Sequence, residues 1–334
     1  MNMTLPSMVI RMIPSQHYDV YVASCTTTGG IYHYKMCAGH LKLAEITPMD
    51  RPMYMVIDNQ KMYIVLRAPF DNAESGVVVY DMDDTGKLFN PSVILSTKGV
   101  VGCHIMVNEG NVYCANYLSG SLIRLPDKLV QHTGHGMNPS RQEGPHVHFV
   151  GITPDDKYIC ATDLGLDTIF LYDKELNLYA STKVPDGHGV RHLVFSEDGK
   201  YLFAVNELKS TVAAFAYQNG KLEFQDTCAV IPDSFTGETT AAAIRVRNGY
   251  IYVSNRGYDC ISKLCFKDGK LALMNTFDCG GETPRDFDLA GNDLICANQD
   301  SDCVTILDMD DNFRIREQIA VEVPICICLC KGRE

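Results

Sequence analysis

GPHVHFVGITPDDKYICATDLGLDTIFLYD, residues 144–173, reads as most of one structural unit. An apolar stretch (148–153) leads into the turn Pro154-Asp155-Asp156-Lys157. A second stretch follows (158–162), then a polar loop that opens on Asp163, then a third stretch (168–172). Short runs rich in β-branched and aromatic residues, punctuated by Pro, Asp and Gly, predict antiparallel strands joined by tight turns. Residues 178–184 supply a fourth strand. The next unit repeats the plan at 193–195, 201–205, 211–217 and 222–230, with the turn Glu197-Asp198-Gly199-Lys200.

Outward from this unit the pattern recurs. CANYLSGSL (114–122), CATDLGLDTI (160–169), AVNELKSTV (204–212), VSNRGYDCI (253–261) and CANQDSDCV (296–304) each run from an apolar strand through Asn or Asp and a polar loop into another strand. From Asn116 through Asp163, Asn206 and Asn255 to Asn298 the steps are 47, 43, 49 and 43 residues. Weaker copies lie around residues 65–80 and 21–34. A period of about 45 with four strands per unit predicts an all-β, seven-bladed propeller that occupies residues 1–334 as a single domain. The N-terminal copy begins at what should be a second strand (18–24). The chain closes with PICICLC (324–330), a first strand with nothing after it. The C-terminal strand is therefore expected to complete the N-terminal blade and close the ring.

Composition narrows the function. The 334 residues carry 41 acidic against 29 basic side chains, a formal net charge of −12. That balance argues against general affinity for nucleic acid or an anionic membrane. No apolar run is long enough to span a bilayer, and residues 1–15 lack the charged-then-apolar layout of a leader. Most of the 14 cysteines sit in strand patterns, Cys326, Cys328 and Cys330 on one strand face, and are expected to be reduced core thiols of a cytoplasmic protein. No nucleophile elbow, P-loop, HExxH or zinc spacing occurs, so no cofactor and no metal are expected. The oligomeric state is left open.

First strands line the channel of a propeller. They begin with Met53-Tyr54, Cys103-His104, His146-Val147-His148, Arg191-His192, Ile244-Arg245, Arg285-Asp286 and Ile325-Cys326. The start of strand one lies beside the end of its antiparallel neighbour, strand two. That end carries Asn116, Asp163, Asn206-Glu207, Asn255-Arg256 and Asn298-Gln299. Both sets should meet at one channel mouth. The expected cluster is His104, His148, Arg191, His192, Glu207, Arg245, Arg256 and Arg285, with Asp163 nearby, and His148, Glu207 and Arg256 lead it because they break the local repeat consensus with larger ionisable groups. Arginine forks match carboxylate and phosphate, and His and Glu move protons near neutral pH. Arg245 has a second reading: Arg247 shares its parity, which would turn it outward. The repeated asparagines are expected to hold loops. His17, His33, His40, His132, His135 and His188 fall outside the register and are expected at the surface or in loops.

The segments 144–173, VRHLVFSEDGKYLFAVNELKSTVAAF (190–215), AAAIRVRNGYIYVSNRGYDCISKL (241–264) and TPRDFDLAGNDLICANQDSDCVTIL (283–307) resemble the seven-bladed propeller lactonase family, which contains 6-phosphogluconolactonases and carboxy-cis,cis-muconate cyclases. The resemblance implies hydrolysis of a small anionic lactone such as 6-phosphogluconolactone. His148, Arg191, Glu207 and Arg256 match the family's motifs, Arg285 less closely, and either Glu207 or His148 would serve as base. A muconate-type lactonising cyclase and a non-catalytic binding propeller are the alternatives.

Overall fold

The computed structural model describes residues 17–332. The regular structure of these residues is entirely β, in seven antiparallel sheets. The reading of residues 1–15 lies outside the described part. Each sheet is a blade whose first strand faces the axis. The seven first strands touch in succession and close a ring. They are Pro324–Lys331 (blade 1), Pro52–Asp58 (blade 2), Gly102–Asn108 (blade 3), Val147–Ile152 (blade 4), Val190–Phe195 (blade 5), Thr240–Arg247 (blade 6) and Pro284–Ala290 (blade 7).

Burial follows position. Second strands such as Tyr18–Ser24, Ile159–Asp163 and Asp293–Asn298 are buried along their whole length, because blades pack on both of their faces. Fourth strands such as Leu178–Lys183 and Arg314–Ala320 are largely exposed. Apolar clusters fill each gap between blades: Ile169 and Leu171 of blade 4 pack with Leu202 and Phe215 of blade 5, and Ile295 and Val304 of blade 7 with Val20 and Val22 of blade 1. Turn chemistry matches the reading. Asp156, Gly199 and Gly249 take positive φ at equivalent turns, at 56°, 71° and 73°. Blade 2 departs from the pattern, for its outer edge is split between Leu88–Phe89 and Leu95–Val100, both paired to Glu74–Met82.

The ring closes as expected. Pro324–Lys331 pairs antiparallel with Tyr18–Ser24, from Tyr18 opposite Lys331 to Ser24 opposite Pro324. Ile325, Cys326 and Ile327 are buried by this pairing. Burial of each large aliphatic side chain contributes about 1.5–3 kcal/mol, and the lost strand also uncovers two blade interfaces. Stability margins of about 5–15 kcal/mol do not survive such a loss. A chain ending at residue 323 is therefore expected to show no cooperative thermal transition by circular dichroism. A melt coincident with that of the full chain would contradict the closure.

The repeated asparagines act as staples. Fully buried, Asn116 donates to the Thr97 carbonyl at 3.0 Å, Asn255 to Ser262 Oγ at 2.8 Å and Asn298 to Thr305 Oγ1 at 3.1 Å. Of the histidines expected at the surface or in loops, His33 lies buried in the strand Gly30–Cys37 instead, while His132 is in a loop as expected but buried there. His33 Nε2 lies 2.5 Å from Asp19 Oδ1, and His132 bridges Asp163 and Tyr172.

Candidate active site

In every blade the pairing of strands one and two is broken by a β-bulge where strand one enters the channel. One extra residue on strand one has no opposite partner, and a bulge of this kind re-aims a side chain. In six blades the extra residues are Ile325, Met53, Cys103, His148, Arg191 and Arg285, and all six line the space on the axis. In blade 6 the bulge falls at the fully buried Ala242 and Ala243, small side chains that leave the Ala242 carbonyl to accept a bond from Arg191 NH1 at 2.8 Å.

A second ring sits above the first. It is formed at the end of strand two, by Arg256 as the last residue of its strand and by Arg67, Tyr117 and Glu207 as the first residues beyond theirs, which line a cavity of about 230 Å³ together with Met53, Cys103, Arg141, His148 and Arg285. Glu207 is the centre of the charge network. Its Oε1 accepts from Arg141 NH2 at 2.5 Å, and its Oε2 lies 2.9 Å from Arg256 NH2 and 3.2 Å from Arg191 Nε. Arg256 is held further by the Ala241 carbonyl at 3.2 Å. Arg285 donates to Gln299 Oε1 at 3.1 Å and has no carboxylate partner among the described residues. The cavity thus gathers Arg67, Arg141, Arg256 and Arg285 at its walls, with Arg191 beneath, around the single carboxylate of Glu207. On an acidic protein this is a concentrated positive field, suited to an anion.

Burial and charge set the protonation states. Burial alone would raise the Glu207 pKa, but Arg256, Arg191 and Arg141 hold it far below the usual carboxylate range. Burial, reinforced by Arg191, drives His148 well below the usual histidine value despite the opposing charge of Glu207. Burial and the neighbouring Arg256 lower Arg191 to about 10. At neutral pH the site therefore presents an ionised, fully engaged carboxylate and a neutral imidazole.

Three of the expected residues lie elsewhere. Asp163 is fully buried behind the site: Oδ2 is 2.6 Å from His132 Nδ1, and Oδ1 accepts from the backbone N–H of His146 and Leu166. The residues after it can pass this close because position 165 is glycine, where a Cβ would sit 1.9 Å from the Gly144 carbonyl oxygen. His104 and Arg245 face a separate cavity of about 390 Å³ at the other end of the channel. Arg245 neither turns outward nor reaches the first cavity. It donates to Asp286 at 3.0 Å and lies 3.5 Å from Asp288. The two cavities are divided by a plug of rings: Tyr54 and Phe149 lie 4.2 and 4.4 Å from His104, which is 5.2 Å from His192. His192 in turn stands 5.3 Å from His148, between the plug and the site. Burial, with Arg245 and Arg191, lowers His104 to about 3.

Arg141, Tyr117, Cys103 and Arg67 were not foreseen. Tyr117 and Arg67 had a usable signal, since they sit at the end of strand two as Glu207 and Arg256 do. Arg141 had none, because it lies in the linker between blades 3 and 4, outside the repeat.

The family description "Lactonase, 7-bladed beta-propeller" matches residues 19–329, and the chain belongs to that family of lactonase-type enzymes. An uncharacterized protein of Staphylococcus aureus strain N315 is 32% identical over 312 residues, covering 85% of this chain and 90% of that protein. A crystal structure of a Bacteroides fragilis protein provisionally assigned as a 6-phosphogluconolactonase is 25% identical, with a TM-score of 0.85 over 98% of this chain and 100% of that one. The periplasmic gluconolactonase of Pseudomonas aeruginosa, 24% identical, shares the fold with a TM-score of 0.85 over 95% and 100% of the two chains. No helix among the described residues is long and apolar enough to cross a membrane.

Proposed function

We propose that the protein hydrolyses a sugar-acid lactone that carries an anionic group, a phosphate or a carboxylate, and that His148 is the base. The observation behind this reading is the convergence of His148 and five arginines on one cavity around Glu207. The name of the Bacteroides protein, a provisional 6-phosphogluconolactonase, agrees with this substrate class, and that of the Pseudomonas protein, a gluconolactonase, agrees with a sugar-acid lactone but not with an anionic group on it. Glu207 is a poor base, because a proton would have to displace the cations that hold both its oxygens. His148 is neutral and lines the cavity. It accepts a proton from a water molecule as that water adds to the lactone carbonyl. The carbonyl oxygen becomes an oxyanion, stabilised by the guanidinium field. The same proton returns to the ring oxygen as the acyl–oxygen bond breaks, leaving a hydroxy acid. Lactones open slowly in water without help, so a barrier reduction of about 5–8 kcal/mol from placement and electrostatics is enough. Fourteen free thiols, most of them buried or partly buried, suit the reducing conditions of the cytoplasm.

The test is a panel of phosphorylated and unphosphorylated sugar lactones, with carboxymuconate beside them and spontaneous opening subtracted. The anionic lactone is expected to have the highest kcat/KM. Turnover of carboxymuconate alone would redirect the site to cyclisation, and no enzymatic opening of any lactone would overturn the reading.

A further inference from the structure

We propose that Arg141 is an anion-responsive switch: it leaves Glu207 for the anionic group of the incoming ligand, and so sets the preference for charged over uncharged lactones. The idea rests on the hydrolase reading of this cavity.

Three guanidinium groups hold Glu207, and they are not equivalent. Arg191 and Arg256 project from the walls of the ring, and each is also fixed to a backbone carbonyl of blade 6, Ala242 at 2.8 Å and Ala241 at 3.2 Å. Their side chains are 4% and 16% exposed. Arg141 comes from the linker, its side chain is 39% exposed, and beyond Glu207 its only hydrogen-bond partner among the described residues is the Tyr117 hydroxyl, at 3.5 Å. It alone holds Oε1.

The backbone that carries Arg141 is well tied. The neighbouring Gln142 is fully buried and donates from Nε2 to the Leu164 carbonyl at 2.9 Å. Its Oε1 accepts from the Asn138 N–H at 3.0 Å, and its backbone N–H donates to the Asn138 carbonyl at 2.7 Å. The mobile part is thus the side chain of Arg141 and not its loop.

Arg285 and Arg67 line the same cavity without a carboxylate partner among the described residues. An anion resting on them offers Arg141 an acceptor of the same fork geometry that Glu207 provides. When Arg141 transfers, Glu207 keeps Arg191 and Arg256 and stays charged, while Oε1 is freed toward the cavity. A freed carboxylate oxygen accepts a hydrogen bond from a sugar hydroxyl and orients the ring. An uncharged lactone gives Arg141 no reason to move, and Oε1 remains blocked.

A double-mutant cycle with inorganic phosphate as the probe, read by calorimetry, separates this from a merely structural role. Arg141→Gln is expected to weaken phosphate binding about tenfold, with Arg141→Lys in between. In a Glu207→Gln background the same change should weaken binding by at least about threefold more, because Arg141 is then released to the anion from the start. If Arg141 only positions Glu207, its effect vanishes in that background, and that result overturns the proposal, as would a phosphate affinity unmoved by Arg141→Gln. Glu207→Asp, too short to hold Arg141, serves as a second background should Glu207→Gln fold poorly. In turnover, Arg141→Gln should lower the kcat/KM ratio of a phosphorylated lactone to its unphosphorylated form about tenfold. A wild-type protein that opens no lactone defeats the hydrolase reading, while the phosphate cycle still decides the fate of the switch.

Discussion

Replacing His148 by asparagine lowers kcat/KM for the lactone by about 10²–10⁴-fold, the usual contribution of a positioned base, while thermal stability changes little. The imidazole is buried at a bulge, its Nδ1 is 4.0 Å from Cys103 Sγ, and it meets the rings of Tyr117 and His192 edge-on at 5.4 and 5.3 Å, contacts of modest strength that an asparagine loses at small cost. The pH profile carries a second signature. An exposed histidine base loses activity as pH falls through about 6.5. Here burial and Arg191 lower the pKa, so the base stays deprotonated to well below that value. The wild-type rate should therefore show no downturn as pH falls from 7 through about 6.5. A normal histidine limb near 6.5, or full turnover by His148→Asn once background opening is subtracted, would remove His148 from this role.

Glu207→Ala costs the fold about 3–5 kcal/mol, more than any other single change expected at the site. The reason is not a lost attraction alone. Arg191 and Arg256 stay buried at the channel mouth with their counter-charge gone, and uncompensated buried charge is the expensive outcome. Denaturant unfolding at an unchanged m-value would measure it. Proton linkage gives the same group a pH window. The folded pKa of Glu207 is depressed, so its contribution is complete above the unfolded value near 4.5 and is lost as pH falls below it. The wild type should lose stability progressively below about pH 4.5. Glu207→Gln should be less stable at neutral pH and flatter through that acid range. Equal stability of Glu207→Ala and wild type at pH 7 would show that the carboxylate does not hold the arginine cluster together.

Much of the architecture was legible because it rests on local signals repeated seven times. The step from Asn116 to Asn298 marked the strand-two ends, and the orphan strand at 324–330 implied the closure that Pro324–Lys331 makes with Tyr18–Ser24. The site was legible only in part. His148, Arg191, Glu207, Arg256 and Arg285 meet at one mouth as antiparallel pairing requires. His104 and Arg245 have the same kind of sequence address and face the opposite cavity. Asp163 occupies the landmark position itself, which points into the blade, whereas in blades 3, 5 and 6 the residue one step beyond the landmark, Tyr117, Glu207 or Arg256, faces the cavity.

The repeat and the unpaired terminal strand were enough to determine a closed ring of seven blades and the strand ends that border its mouth, because periodicity and turn chemistry are properties of the chain itself. Which neighbour of each pair looks into the cavity was decided by the tertiary structure. Seven bulges break the two-residue alternation, so the neighbours Arg191 and His192 both border the axial space, while Cys103 lines the first cavity and His104 the second, for a reason that no local pattern records. The same holds for Arg141, whose place beside Glu207 exists only once a linker outside the repeat has packed across the finished ring.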